Sequence, residues 1–332
     1  MRAPLHPQLH GKIVASGFRP HPLLAGAHAQ TMAPALLRPL PPLSLRVERL
    51  DTHDGDFIDL GWSGEENEGG PIAVLVHGLT GGFDSKYLRG VARRLNRAGW
   101  RSVMVQLRGG GLEVNRVPRF YHHGDTADVR MVWHLLRRRE PRVRLATAGW
   151  SLGGNIILKA LAEEGDAAPV ELAVAASVPF RLHECALRLR SGFSRVYQRK
   201  LLNDLKAMVR RKAAVMDMPP GVDLAATLAS RDFIEFDDAY TAPVNGFADA
   251  RDYYARCASG QYLHAIRRPT LIVHAADDPF MDPAVVPDES MLSPYVTLEL
   301  AAHGGHVGFV AAGPKGGLKY WLEDRFAEAF GV

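Results

Sequence analysis

The pentapeptide Gly149-Trp150-Ser151-Leu152-Gly153 determines which architecture we expect of this chain. It follows an apolar run at residues 143–148, which predicts a strand, and opens into residues 155–161, which predict a helix. A turn this sharp strains the backbone of its central serine, and the flanking glycines avoid steric collision. A strand, a tight turn with serine at its apex and a helix together form the setting of a nucleophile elbow.

The pentapeptide alone is weak evidence for such a turn. A G-x-S-x-G pattern occurs by chance on the order of 0.1 times in a chain of this length. The alternative interpretation is an ordinary glycine-rich turn between a strand and a helix, capped by the serine. The sequence around the pentapeptide is therefore needed to distinguish a nucleophile elbow from an ordinary turn.

Apolar runs and helical patterns alternate around the pentapeptide. Helices are predicted at residues 85–98 and 125–139. Further buried strands are predicted at residues 72–76, 101–105, 170–178, 270–274 and 296–300. Such alternation implies right-handed crossovers, so we expect an α/β fold with a mainly parallel sheet and helices on both faces.

The chain divides into three predicted parts. Residues 1–42 are rich in Pro, His and Leu without a clear period, and we expect an N-terminal arm that wraps the domain. Residues 43–179 and 263–332 form the predicted core. Residues 180–262 carry helical patterns but no convincing buried strand, which predicts an inserted helical cap. Within the core, a hairpin is predicted from strands at 45–50 and 57–62, and a closing helix at about Pro314–Phe330.

Composition and charge narrow the class of protein. The 332 residues are 47% hydrophobic and 23% charged, as in ordinary globular proteins, and the net charge of +4 gives no reason to expect nucleic-acid binding. No apolar run approaches the ~20 residues of a membrane-spanning helix. Residues 1–7 do not have the apolar core of a signal peptide, and Cys185 and Cys257 are too few for a disulfide framework. We therefore expect a cytoplasmic protein.

Candidate partners for Ser151 follow it along the chain in a defined order. A serine hydroxyl needs a base within hydrogen-bond reach, and that base needs an acid to orient it. On strand–turn–helix elbows these partners come in the order serine, acid, histidine. Asp277 and Asp278 follow one predicted strand, and His303 and His306 follow the next.

Each of these pairs requires a choice. We prefer Asp278 as the acid because Pro279 favours an extended conformation before it, which leaves Asp277 as a neighbour or turn cap. We prefer His306 as the base because the preceding pair Gly304-Gly305 lets the loop turn the next side chain inward. His303 is then interpreted as a surface loop residue. A calcium site at Asp277, Asp278 and Asp282 is disfavoured because the EF-hand spacing is lacking.

A glycine-rich loop, Val76-His77-Gly78-Leu79-Thr80-Gly81-Gly82, follows the first buried parallel strand. It can direct a backbone N–H at a developing oxyanion, and we expect Leu79 to be one donor and Leu152 the second. The alternative is a phosphate-binding loop. The sequence lacks both the G-x-x-x-x-G-K-[ST] and the G-x-G-x-x-G patterns that such loops carry.

The segment Arg199–Lys212 combines an apolar helical face with six basic residues. One interpretation is a cap helix whose apolar face covers the pocket, and the other is transient contact with an anionic membrane surface. Tyr121-His122-His123 is similarly open to two interpretations, a loop at the pocket rim or a metal site.

The chain resembles the YheT-like branch of the α/β-hydrolases over nearly its whole length. The resemblance rests on His28-Ala29-Gln30-Thr31, Val76–Gly82, Asn115–His122, Gly149–Gly154, Asp277–Phe280 and Gly304–Phe309. It implies the α/β-hydrolase fold and a catalytic triad of Ser151, Asp278 and His306. It also implies hydrolysis of carboxylic esters, either short-chain acyl esters or acylglycerol-like lipids.

We therefore expect a serine hydrolase that binds a small-molecule ester and forms an acyl-enzyme on Ser151, without metal or organic cofactor. A thioesterase or acyltransferase using the same triad is the alternative among enzymes, because it differs only in the acyl carrier or the second nucleophile. A non-catalytic lipid-binding protein, with the cap and pocket acting as a carrier, is the alternative from another class.

Overall fold

A nine-stranded sheet organises the computed structural model, which describes residues 10–65 and 69–332. Residues 1–9, which include the first part of the predicted N-terminal arm, and residues 66–68 lie outside the described residues. The strands are β1 Lys12–Ala15, β2 Arg46–Asp51, β3 Phe57–Ser63, β4 Ile72–Val76, β5 Arg101–Gln106, β6 Leu145–Trp150, β7 Leu172–Ala176, β8 Thr270–Ala275 and β9 Val296–Ala301.

The spatial order of the strands is β1-β9-β8-β7-β6-β4-β5-β3-β2. All pairs are parallel except β2 with β3 and β3 with β5, which are antiparallel. The central strands β4, β5 and β6 are buried along their whole length, which explains their continuous apolar sequences. The predicted mainly parallel sheet and the hairpin are confirmed.

Helices cover both faces of the sheet, as predicted. The helices that pack on the sheet are α2 Lys86–Asn96, α3 Ala127–Arg139, α4 Leu152–Glu164 and, at the end of the chain, α11 Trp321–Ala329; an earlier helix, α1, spans Ala27–Leu37. One apolar core joins α3 and α4 to the sheet, and a second core joins α2 and α11 to its other face.

Residues 182–257 form six helices and no strand. Their bounds are α5 Leu182–Leu189, α6 Ser194–Ala213, α7 Leu224–Ala229, α8 Phe233–Phe236, α9 Ala242–Val244 and α10 Ala250–Cys257, with a π-helical turn at Asp237–Thr241. These helices follow β7 and precede β8, so the insertion lies over the carboxyl ends of the central strands.

Two segments differ from the sequence-based expectations. The arm is not an irregular wrap throughout: β1 pairs in parallel with β9 at the sheet edge, and α1 follows it. A four-residue edge strand and a helix interrupted by Pro34 are too short and too irregular to produce a clear period. The closing helix begins at Trp321 instead of Pro314, because β10 Val310–Ala312 and β11 Leu318–Tyr320 form a hairpin across a glycine-rich turn.

A helix that crosses a bilayer needs about 20 predominantly apolar residues. Over residues 10–65 and 69–332, no helix is long and apolar enough to cross a membrane.

Candidate active site

Ser151 lies at the sharp turn between β6 and α4, at the carboxyl end of the sheet. Its φ of 51° and ψ of −119° place it in a strained backbone region that non-glycine residues rarely adopt. The glycines around it are needed for space. A Cβ at Gly149 would lie 2.4 Å from the carbonyl oxygen of Gly153, and one at Gly153 would lie 2.2 Å from that of Val76.

His306 reaches Ser151 from the loop that follows β9. Its Nε2 lies 3.0 Å from the Ser151 hydroxyl oxygen, and its Nδ1 lies 2.8 Å from Oδ2 of Asp278. Because a carboxylate only accepts hydrogen bonds, Nδ1 carries the proton and the lone pair of Nε2 faces the hydroxyl. The three side chains predicted from the sequence are therefore adjacent, in the order that a proton transfer from Ser151 requires.

Asp278 is buried, and its second oxygen accepts a hydrogen bond of 2.9 Å from the backbone N–H of Phe280. The other candidates form a separate pair at the surface. Asp277 Oδ2 lies 3.2 Å from Nδ1 of His303, whose side chain is 57% exposed. In the structure, the carboxylate that contacts His306 thus belongs to Asp278.

The sequence did not indicate two side chains that support the histidine. The ring of Phe280 stacks on the His306 imidazole, with centroids 3.9 Å apart and planes 6° from parallel. Ser177 accepts a hydrogen bond of 2.9 Å from the N–H of Val307. Phe280 belongs to the motif that also contains Asp278, and this proximity along the chain was the one available signal.

The two expected oxyanion donors remain unpaired. Within residues 10–65 and 69–332, no acceptor is hydrogen-bonded to the N–H of Leu79 or of Leu152, the first residue of α4. The N–H groups on either side of Leu79 both have partners. The N–H of Gly78 donates to the hydroxyl oxygen of Tyr87, and the N–H of Thr80 donates to that of Tyr121, each at 2.8 Å. The loop is therefore fixed with one donor free next to the serine, as anion stabilisation requires.

Histidines elsewhere in the motifs have structural roles. His77 Nδ1 donates to the carbonyl of Gly78 at 2.7 Å, its Nε2 accepts the Leu107 N–H at 3.2 Å, and burial lowers its pKa to about 4. His122 Nδ1 accepts the Gly124 N–H at 3.1 Å, and His123 Nδ1 lies 2.7 Å from the Tyr253 hydroxyl; burial lowers the pKa of each to about 3. His123 also lines the smaller of the two cavities at Ser151. Among the described residues, no group of three His, Cys, Asp or Glu side chains is arranged to hold a metal ion.

Two cavities meet at Ser151. The outer cavity has a volume of about 650 Å³ and lies between α1, α2 and α6, with Leu36, Val196 and Lys200 among its lining residues. The cap chamber is smaller, about 70 Å³, and is enclosed by apolar side chains such as Leu189 and Phe233. Leu79, His306 and Phe280 line both, so a carbonyl at Ser151 has an apolar space on either side.

Helix α6 turns its apolar face inward. Leu202, Leu205 and Val209 are buried, while Arg199 and Arg210 are exposed. Lys212 differs from the other basic residues of the segment, because it is buried and its Nζ donates to Oδ1 of Asn115 and to the carbonyl of Arg119. The side chains of Leu202, Leu205 and Val209 therefore pack in the interior of the protein.

Comparisons with known proteins show the family and the fold. A sequence profile described as the alpha/beta hydrolase fold matches residues 71–312. The Escherichia coli (strain K12) protein YheT, which carries a provisional esterase name, is 42% identical over 94% of this chain and 92% of its own length. The monoacylglycerol lipase of Saccharomyces cerevisiae is 30% identical over 78% of this chain and 59% of its own. The solved Pyrococcus furiosus esterase Pf2001 shares the fold, with a TM-score of 0.56, 15% identity and 96% coverage of both chains.

Proposed function

This chain is an esterase-type member of the α/β-hydrolase family, in its YheT-like branch, and from that premise we propose that it cleaves carboxylic esters through an acyl-enzyme on Ser151. The observation that carries the proposal is the position of His306, which lies within hydrogen-bond distance of both Ser151 and Asp278. A serine alone is a poor nucleophile, whereas one bonded to an oriented imidazole can lose its proton as it attacks.

The reaction follows from these contacts. Ser151 Oγ attacks the ester carbonyl while Nε2 of His306 takes its proton, and Asp278 stabilises the imidazolium that forms. The N–H groups of Leu79 and Leu152 bind the oxyanion, each contributing about 3 kcal/mol to transition-state stabilisation. His306 then protonates the leaving alcohol, and a water activated by the same imidazole hydrolyses the acyl-enzyme.

The cavities support an ester with an apolar acyl chain. The outer cavity is large and mainly apolar, so burial of an alkyl chain there is favourable by about 0.8 kcal/mol per methylene. The yeast relative named as a monoacylglycerol lipase supports the same substrate class. We therefore propose acylglycerol-like lipids or short-chain acyl esters as substrates.

Hydrolysis of nitrophenyl esters of increasing acyl length tests this proposal. We expect the wild-type chain to release nitrophenol and Ser151→Ala to lose at least about 10³-fold in kcat. Ser290→Ala is the matched control, because this serine is exposed and lines neither cavity, and its kcat should stay within twofold of wild type. Turnover by Ser151→Ala at the wild-type rate would contradict the mechanism.

We further propose transient contact between an anionic lipid surface and the mouth of the outer cavity. Leu36 and Val196 line this cavity and are 70% and 51% exposed; Phe193, 47% exposed, contacts Tyr197, which also lines it. Arg195 and Arg199 are exposed residues next to Val196 and Lys200 in the chain, and neither side chain has an acidic partner within the described ranges. Exposed apolar side chains with arginines nearby suit a surface of anionic headgroups and acyl chains.

The remaining expectations stay predictions. A cytoplasmic location is consistent with Cys185 and Cys257, which are both buried free thiols. The absence of nucleic-acid binding likewise stays an expectation from the modest net charge.

A further inference from the structure

The loop that carries His306 has an unfavourable backbone conformation. Val307 and Phe309 have φ values of 58° and 46°, and Gly305 has a φ of 61°. Non-glycine residues rarely adopt this region because it is strained, and a β-branched valine is particularly disfavoured there. Such a loop keeps its conformation only if the surrounding structure holds it.

Two consecutive residues of α1 hold this loop. Thr31 Oγ1 accepts a hydrogen bond of 2.9 Å from the N–H of His306 itself. Gln30 is fully buried, and its amide pairs with both backbone groups of Val310: Oε1 accepts the N–H at 2.7 Å, and Nε2 donates to the carbonyl at 3.0 Å. Helix α1 therefore contacts the loop at the histidine and again where the loop ends.

The fit between α1 and the loop is close. A Cβ at Gly308 would lie 2.2 Å from the carbonyl oxygen of Gln30, and one at Gly305 would lie 2.5 Å from that of Ala27. Glycines at these two positions let the loop backbone lie directly against the helix. Any side chain there would push the imidazole away from Ser151.

Three successive N–H groups of the loop are bonded to side chains from three different places in the chain. Gly305 donates to Asp277 at 3.1 Å, His306 to Thr31, and Val307 to Ser177. Asp277 and Ser177 follow strands of the sheet, whereas Thr31 belongs to the N-terminal segment. The imidazole thus depends on a helix far from it in sequence.

We propose that Thr31 and Gln30 of α1 are positioning residues for His306, a role that rests on the proposed function. Neither is hydrogen-bonded to Ser151 or Asp278, although Thr31 also lines the outer cavity; their hydrogen bonds fix the loop so that Nε2 points at Ser151. His28, from the same motif, lies 3.0 Å from the hydroxyl of Tyr197 in α6 and so joins this helix to the cap as well.

Thr31→Val and Thr31→Ser test the proposal, because both keep the side chain small and only serine keeps the hydroxyl. We expect Thr31→Val to lower kcat about tenfold or more because the imidazole is misaligned, while KM stays within twofold because valine keeps the shape of threonine in the cavity wall. Thr31→Ser should restore kcat to within about threefold of wild type. Gln30 is less suitable, because its loss would leave buried groups of Val310 unpaired and endanger folding.

The same substitution in a His306→Ala background separates positioning from general structural damage. If Thr31 acts through the imidazole, Thr31→Val should change the slow residual reaction of His306→Ala with a fluorophosphonate by less than twofold. An equal loss in both backgrounds, or a Thr31→Ser as impaired as Thr31→Val, would overturn the proposal. Failure of the wild-type chain to react at Ser151 would instead overturn the proposed function.

Discussion

At the scale of single residues, the order of Ser151, the acid and the histidine along the chain was enough to limit the candidates to a few side chains. The choice of Asp278 over Asp277 rested on the proline that follows, and in the structure it is Asp278 that lies 2.8 Å from His306. The sequence could not indicate Phe280 stacking or the Thr31 hydrogen bond, because both depend on tertiary placement of loops.

The two aspartates provide a sharp test at this scale. Asp278→Asn keeps the shape of the side chain but removes the carboxylate that fixes the Nδ1–H tautomer, so we expect kcat to fall about 10³–10⁴-fold. Asp277→Asn is the matched control, since its amide oxygen can still accept from Gly305, and we expect less than a fivefold change. Equal losses in the two variants would show that the acid has been assigned wrongly.

At the scale of elements, the buried strands were predictable because residues covered on both faces leave continuous apolar runs. The arm was not, because β1 is a short edge strand and α1 contains a proline. The sequence predicted an apolar face on Arg199–Lys212 with six basic residues on the rest of the helix, and the position of the last turn of α6 against Asn115 brings one of these, Lys212, into the interior. A helical period cannot distinguish a solvated lysine from one that bonds a distant loop.

The hydrogen bonds of Lys212 are expected to stabilise the packing of α6 against the rest of the protein. Lys212→Met leaves the buried Asn115 and the Arg119 carbonyl without their donor, and we expect it to lower the free energy of unfolding by about 2 kcal/mol at pH 7. Arg210→Met, an exposed position on the same helix, should change it by less than about 0.5 kcal/mol. Chemical denaturation measures both.

The pH dependence of the same variant gives an independent check. Burial lowers the pKa of Lys212 from 10.5 to about 8, so between these values the unfolded chain binds more protons than the folded one. The contribution of Lys212 to the free energy of unfolding therefore rises with pH across that window. It is about 2 kcal/mol larger at pH 9.5 than at pH 7. The stability difference between wild type and Lys212→Met should widen accordingly. A difference that stays constant from pH 7 to 9.5 would contradict a buried, readily deprotonated lysine.

At the scale of the whole molecule, the carboxyl edge of the sheet carries the catalytic groups, the cap and the cationic mouth of the outer cavity. We expect the chain to bind vesicles of phosphatidylglycerol and phosphatidylcholine more tightly than vesicles of phosphatidylcholine alone, and less so at high salt. Arg195→Glu/Arg199→Glu should weaken this binding at least tenfold.

The control for vesicle binding makes the same charge change elsewhere. Arg97→Glu/Arg142→Glu alters two exposed residues that precede β5 and β6, at the opposite edge of the sheet, and should bind vesicles as wild type does. If both double variants weakened vesicle binding equally, the binding would depend on the net charge of the protein and not on a defined surface. If the chain instead formed dimers through Leu36 and Val196 and did not bind vesicles, the partner of this surface would be a second copy of the chain and not a lipid surface.

The central claim is that the hydroxyl at the elbow is an activated nucleophile, and covalent labelling measures this most directly. Reaction with a fluorophosphonate followed by mass spectrometry of the digested chain should find one adduct, on the peptide that contains Ser151. His306→Ala should slow its formation by about 10³-fold or more. An unlabelled Ser151 in a folded chain that still cleaves esters, or an adduct on another residue, would contradict the account.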